Sequence, residues 1–160
     1  MKKQVVLLLA IILLVLQSDA APVSRCFKQQ SISDELKNST AVFSGQVIAE
    51  EYRPVNSKED HLPEGGEALV IRFAVERWWK GSGEEEVILY TGVTRYPNGY
   101  TRMFAEDFTF RVGEKYLVYA DSSEDGLKTN GCRRTAEIEK AEEDLGELGE
   151  GKLPEKKEAL

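Results

Sequence analysis

The side chains in this chain that could carry chemistry are few: two cysteines, one histidine and small clusters of carboxylates and arginines. Cys26 and Cys132 stand far apart. A metal site would want thiols close together with histidines beside them, whereas an even cysteine count in an exported protein reads as a disulfide. His61 lies between Asp60 and Leu62 in a charged stretch, with no second histidine to share a metal or a proton, and reads as a solvated loop residue. Glu84, Glu85 and Glu86 are consecutive beside a Ser-Gly turn, and paired carboxylates do acid–base work only where their surroundings push their pKa values apart. They read as a solvated face. Glu59, Asp60, Glu64 and Glu67 lack the spaced loop that holds calcium. The serines have no histidine to activate them as nucleophiles. Catalysis, cofactor binding and metal binding are therefore not expected. Trp78 and Trp79 are neighbours on a strand pattern, so one should be buried and the other should lie on the outer surface or under a helix. Arg133 and Arg134 read as salt-bridge partners at a sheet edge.

The first twenty residues decide the compartment. Lys2 and Lys3 precede an apolar run from Val5 to Leu16, followed by Gln17, Ser18, Asp19 and Ala20. This order of charge, apolar stretch and small residues is that of a signal peptide. The run is too short to span a membrane, which takes about 20 residues, and no second apolar run follows. Residues 1–20 are thus expected to be removed, leaving a mature form without a membrane span. Arg25 occupies the position where lipid attachment at Cys26 would need a small residue.

The chain carries a net charge of −7, and removing residues 1–20 takes away two lysines and one aspartate, leaving −8. A domain this acidic has no electrostatic footprint for nucleic acid or an anionic membrane. A Cys26–Cys132 bridge would close a loop around nearly the whole domain. Chain entropy then assigns it about 4 to 5 kcal/mol, of which about 2 to 4 is usually realised.

Between the cysteines the pattern is mainly that of strands. Ser33 is a candidate cap for a short helix through Leu36, Ala41 to Tyr52 reads as a strand, and Arg53 to Glu67 as a long exposed loop. In Ala68 to Trp79, Leu69, Ile71, Phe73, Val75 and Trp79 alternate with polar residues at the period of a half-buried strand. A strand begins at Val87, a Gly-, Pro- and Asn-marked excursion runs from Gly92 to Asp107, and Phe108, Phe110 and Val112 alternate again. Tyr116 to Ala120 is a short apolar strand, and Gly126 to Cys132 another extended segment. Ile138, Ala141, Leu145 and Leu148 then share one helical face, with Thr135 as the expected cap. Residues 150–160 form a short charged tail expected to fray. One mainly β domain over residues 21–149 follows, a small barrel with one N-terminal and one C-terminal helix.

Several stretches, taken in order, resemble a known family. They are Ala41-Val42-Phe43-Ser44-Gly45-Gln46-Val47, Arg72-Phe73-Ala74-Val75-Glu76-Arg77-Trp78-Trp79-Lys80-Gly81, Val87 to Gly92, Gly113-Glu114-Lys115-Tyr116-Leu117-Val118-Tyr119-Ala120 and Gly131-Cys132-Arg133-Arg134-Thr135. Together they resemble the inhibitory domain of the tissue inhibitors of metalloproteinases, and more closely its bacterial relatives, over residues 24 to 148. The resemblance implies a five-stranded oligonucleotide/oligosaccharide-binding (OB) type of barrel in its netrin-like variant. It implies a protein partner, of the metalloprotease class, met by the N-terminal segment Val23, Ser24 and Arg25 and by the loop carrying His61 and Leu62. In the animal inhibitors the mature chain begins with a Cys-x-Cys pair, and the first cysteine's amine and carbonyl chelate the protease zinc. Here Cys26 matches the second cysteine and Ser24 stands in place of the first, while Asn98 stands where the first cysteine's partner would be. Both halves of one bridge are absent together.

Two functions are therefore expected of the sequence. One is a secreted, inhibitor-like module that occupies a protease surface without zinc chelation. The other is a non-inhibitory protein-interaction domain of the cell envelope or exterior that keeps only the barrel. Mass measurement of the exported product should find a chain starting at Ala21 or Pro22. An intact Met1 terminus or a lipid-modified Cys26 would contradict the export reading.

Overall fold

The computed structural model describes residue 26, residues 29–55 and residues 65–156. The proposed signal peptide, and the expected contact residues Val23, Ser24, Arg25, His61 and Leu62, lie outside the described residues. Within them the order is helix α1 (Ile32–Asn38), then strands β1 (Ala41–Pro54), β2 (Glu67–Lys80), β3 (Glu86–Arg95) and β4 (Thr101–Arg102). After these come β5 (Lys115–Ser122), β6 (Leu127–Lys128), β7 (Ala136–Glu137), a 3-10 turn (Ile138–Lys140) and helix α2 (Glu142–Leu148).

Five strands close on themselves. β1 pairs antiparallel with β2 on one side and with β5 on the other, β2 pairs with β3, and β6 joins β3 to β5. The β3–β6 pairing, Leu89 with Leu127 and Tyr90 with Lys128, is parallel. This ring is the mainly β, OB-like architecture expected, with one short helix preceding its strands and one following them. β1 is the strand that makes closure possible, because its first half pairs on both edges. At Gly45 it faces Val75 and Tyr116. A Cβ there would lie 2.6 Å from the Ala74 carbonyl oxygen, so only glycine lets the neighbouring strand approach.

Apolar alternation fills the ring. Phe43, Val47, Ile71, Phe73, Val75, Leu89, Phe110, Tyr116 and Val118 form one buried cluster. Phe73 meets Phe43 and Phe110 edge to face at 5.4 and 5.3 Å, the arrangement that aromatic quadrupoles favour. A second cluster lies outside the ring, where Val42, Leu117 and Tyr119 are covered by Leu36 of α1 and by Ala141, Leu145 and Leu148 around α2. Val42 and Phe43, or Leu117 and Val118, are buried on both faces because ring and helices cover opposite sides of β1 and β5.

Several expectations are corrected. The α1 cap is Ser31, whose hydroxyl accepts the Asp34 amide, rather than Ser33. Trp78, not Trp79, enters the ring core: irregularities in the β1–β2 register between Ser44 and Gly45 shift the phase, leaving Glu76 and Arg77 both exposed. Trp79 turns under α2 instead. β3 runs on past Gly92 to Arg95 and folds back through β4 as a hairpin, so much of the excursion is strand. Phe108 and Phe110 pack on the ring core outside any strand, and Val112 is exposed. Thr135 does not cap a helix. Its hydroxyl accepts the Tyr119 amide at 3.0 Å, and α2 begins seven residues later.

The tail is also ordered where it meets β2. Beyond Glu76 the outer edge of β2 is no longer covered by β3, and Lys152 fills it, exchanging both backbone hydrogen bonds with Trp78 at 2.7 and 2.8 Å. The Glu155 amide donates to the Gly83 carbonyl and the Trp79 indole to the Gly149 carbonyl. An open strand edge is thereby closed.

Two glycine substitutions should separate packing from propensity. Gly45→Ala should lower unfolding stability by about 1 to 3 kcal/mol through overpacking. Gly146→Ala, in open space on α2, should raise it by about 0.5 to 1 kcal/mol. Denaturant midpoints measure both.

Candidate functional site

The turn between β6 and β7 carries one half of the disulfide and the two arginines that follow it. Thr129 donates its hydroxyl to the Tyr119 carbonyl at 2.7 Å, and Asn130 accepts the Cys132 amide on its side chain and the Arg133 amide on its carbonyl. The Gly131 amide donates to the Glu106 carbonyl. So fixed, the turn presents Cys132 to Cys26, and the two are joined, Cα to Cα 5.3 Å, across a separation of 106 residues.

The next two residues grip one helix each. Arg133 bonds Glu35 of α1 at 2.7 Å and also pairs with Asp121 at the end of β5. Arg134 takes both carboxylate oxygens of Asp144 on α2, at 2.8 and 2.6 Å, and reaches back to the Gln30 carbonyl at 3.2 Å. Tyr119, wholly buried on β5, donates its hydroxyl to the same carboxylate at 2.8 Å. Burial first, and then the bond to Asp144, push the Tyr119 phenol above its ordinary value; the two-pronged bond from Asp144 holds Arg134 protonated even more firmly than usual. These arginines are structural clamps, as their position at a sheet edge suggested.

Beside this turn runs the segment from β4 to β5. The Phe104 amide bonds Asp107 at 2.7 Å, and Asp107 seats its carboxylate against Gly92, where any side chain would collide with it. The segment is therefore held between β3 and the Cys132 turn. It displays side chains that the sequence pattern did not mark as a site: Tyr100, Met103 and Phe104 are 50%, 68% and 52% exposed. Tyr100 stacks on Tyr96 with ring centres 5.7 Å apart, and Arg102 lies over Phe104 at 5.2 Å. On the other side of the hairpin, Arg95 lies over the Tyr52 ring at 3.8 Å and pairs with Glu67. Pro54, Val55, Gly66, Tyr96 and Pro97 line a shallow groove next to it.

Asn98 sits in the hairpin turn and accepts the Tyr100 amide at 3.0 Å. From Val93 to Ala105 the chain has two arginines and no acid, which sets the hairpin apart in an acidic protein. Among the described residues no group of three or more His, Cys, Asp or Glu side chains could hold a metal ion, and no helix is long and apolar enough to cross a membrane. No known protein-family model matches the chain, and no curated protein sequence matches it significantly.

The buried clamp has a measurable signature. Asp144→Asn removes the buried, two-pronged counter-charge of Arg134, leaving it the exposed Glu143 at 3.5 Å, and should cost about 3 kcal/mol. Tyr119 has a folded pKa raised above the unfolded value near 10, so its contribution is present below about pH 10 and is lost as pH rises further. Tyr116, raised by burial as well, adds to the same limb. Stability measured by denaturant should fall above about pH 10, and Tyr119→Phe should make that fall shallower.

Proposed function

We propose that this chain is an exported protein-binding domain of the tissue-inhibitor-of-metalloproteinases type, which meets a protease surface without chelating its zinc. The observation that carries the reading is the join of Cys26 to the Cys132 turn, whose Gly131 amide bonds Glu106 in the segment that displays the exposed Met103 and Phe104. Exposed apolar side chains next to a rigidly held backbone suit a protein partner, because aromatic anchors bind with little loss of side-chain freedom. The absence of an acid from Val93 to Ala105 spares such an interface the burial of an unpaired carboxylate.

Zinc chelation is a poor fit for a physical reason. It requires the first residue's amine and carbonyl in fixed register, and a terminus at Ala21 or Pro22 places that amine ahead of Ser24. With Ser24 and Asn98 in place of a cysteine pair, no second bridge holds the terminus. Ordering it on binding costs about 1 to 2 kcal/mol per residue.

The test is binding and inhibition across a panel of zinc proteases, using the mature chain, its N-terminally acetylated form, and the variants Tyr100→Ala and Phe104→Ala. Acetylation should leave affinity within about twofold. Each aromatic substitution should lower affinity about tenfold or more, near 1.4 kcal/mol. Inhibition abolished by acetylation would restore the chelating mechanism, and no binding to any member of the panel would leave a non-inhibitory envelope domain in its place.

A further inference from the structure

We propose that the outer edge of β1 from Glu50 to Pro54 is a strand-addition site for an extended peptide segment of a partner protein, one that carries a basic residue opposite Glu50. On this edge the pairing with β5 ends at Gln46 and Lys115, and Val47 makes the last bonds, its amide to Glu114 and its carbonyl to Gly113. β1 then runs on to Pro54 paired, among the described residues, with β2 alone, from Ala49 with Arg72 to Pro54 with Glu67.

The phase of the hydrogen bonds decides which groups are left outward. The Val55 amide bonds the Gly66 carbonyl at 3.1 Å, and in an antiparallel ladder the backbone groups of every second residue face the same neighbour. Arg53, Glu51 and Ala49 therefore face β2, while Glu50 and Tyr52 turn both amide and carbonyl away from it. The irregularity between Val47 and Ala49 accounts for the change of phase from the β5-facing Val47. Pro54 has no amide and ends the row of donors. The uncovered edge of β2 at Trp78 is filled by Lys152 of the chain itself. The β1 edge has no such filler among the described residues.

Two side chains select the occupant. Alternate residues of a strand share a face, so a strand laid on this edge sets its own residues directly opposite Glu50 and Tyr52. Glu50 is exposed and makes no ion pair among the described residues, whereas Glu51 on the other face is paired with Arg53. Tyr52 is half-buried and held in place by Arg95, whose guanidinium lies over its ring at 3.8 Å. The complementary segment places lysine or arginine opposite Glu50 and a β-branched or aromatic residue opposite Tyr52, two positions earlier in an antiparallel strand. A second copy of this chain is the wrong occupant, because edge-to-edge pairing brings Glu50 and Glu51 of one copy against the same acids of the other. β4 borders the opposite side of β3, so this edge is separate from the surface that carries Tyr100 and Phe104.

Amide NMR of the isotope-labelled mature chain tests this, with a blocked threonine heptapeptide carrying valine third and lysine fifth as the probe at millimolar concentration. The Glu50 and Tyr52 amides should shift, and those of Tyr100 and Phe104 should not. Exchanging the peptide's lysine for glutamate should weaken binding about fivefold, and Glu50→Lys should invert that preference. Glu50→Pro removes an outward amide and leaves the β2 ladder intact, and should abolish the shift at Tyr52. No shift at Glu50 and Tyr52 would overturn the proposal, as would equal binding of the two peptides. Shifts of these amides on concentrating the chain alone would make the edge a self-pairing one and overturn it too. No protease enters the experiment, so its failure is distinct from failure of the protease-binding reading.

Discussion

Asp144 is the residue on which the seating of α2 and the approach to α1 depend. A carboxylate this buried is tolerated only when its oxygens are fully engaged, and here they take two bonds from Arg134 and one from Tyr119. Each donor belongs to a different part of the fold. Tyr119 is in a strand of the ring, Arg134 follows the disulfide, and Arg134 also holds the backbone at Gln30. One side chain of a seven-residue helix therefore fixes that helix on the ring and, through Arg134, the approach to α1. A helix this short has little stability of its own, so α2 is held by this clamp and by Ala141, Leu145 and Leu148 against Leu117 and Tyr119.

The ring supplies what the clamp fastens to. The first half of β1 pairs along both edges, and the ring interior and the helices bury its two faces in separate cores. Tyr119 crosses between the two regimes, with its backbone in the β5 ladder and its hydroxyl under α2. At the end of β6 the chain leaves the ring in a turn held by Thr129 and Asn130, and the same turn brings Cys132 against the β4–β5 segment through Gly131 and Glu106. Disulfide and structural clamp are thus successive residues of one turn: Gly131 bonds the β4–β5 segment and Cys132 joins Cys26, while Arg133 and Arg134 hold the helices.

Much of this was legible from local pattern. Period-two alternation from Leu69 to Val75 specified a half-buried strand, and the spacing of Ile138, Ala141, Leu145 and Leu148 specified the face that packs outside the ring, because both signals are local. What escaped notice was decided by distant residues. The exchange of Trp78 for Trp79 in the core follows from a shift against Ser44 and Gly45, which no pattern within β2 reports. Thr135 reads as a helix cap, but the Tyr119 backbone claims its hydroxyl. The tail is polar and short, and it is ordered because an uncovered edge of β2 needs a partner. Tyr100, Met103 and Phe104 were hidden by the turn residues Pro97, Asn98 and Gly99, which made a hairpin look like a loop. The expected contacts Val23, Ser24, Arg25, His61 and Leu62 lie outside the described residues, so the candidate surface rests on the disulfide and on side chains that the pattern did not mark.

The central claim is that the Arg134–Asp144 pair fastens α2 to the ring, and a double-mutant cycle in unfolding free energy tests it most directly. Arg134→Met, Asp144→Leu and the double variant remove either partner or both, so that the coupling is separated from the cost of each lost side chain. A coupling energy of about 2 to 3 kcal/mol, with the double variant more stable than either single one, is the result expected of a buried pair. Costs that simply add would show the two residues to be independent, and would contradict the clamp.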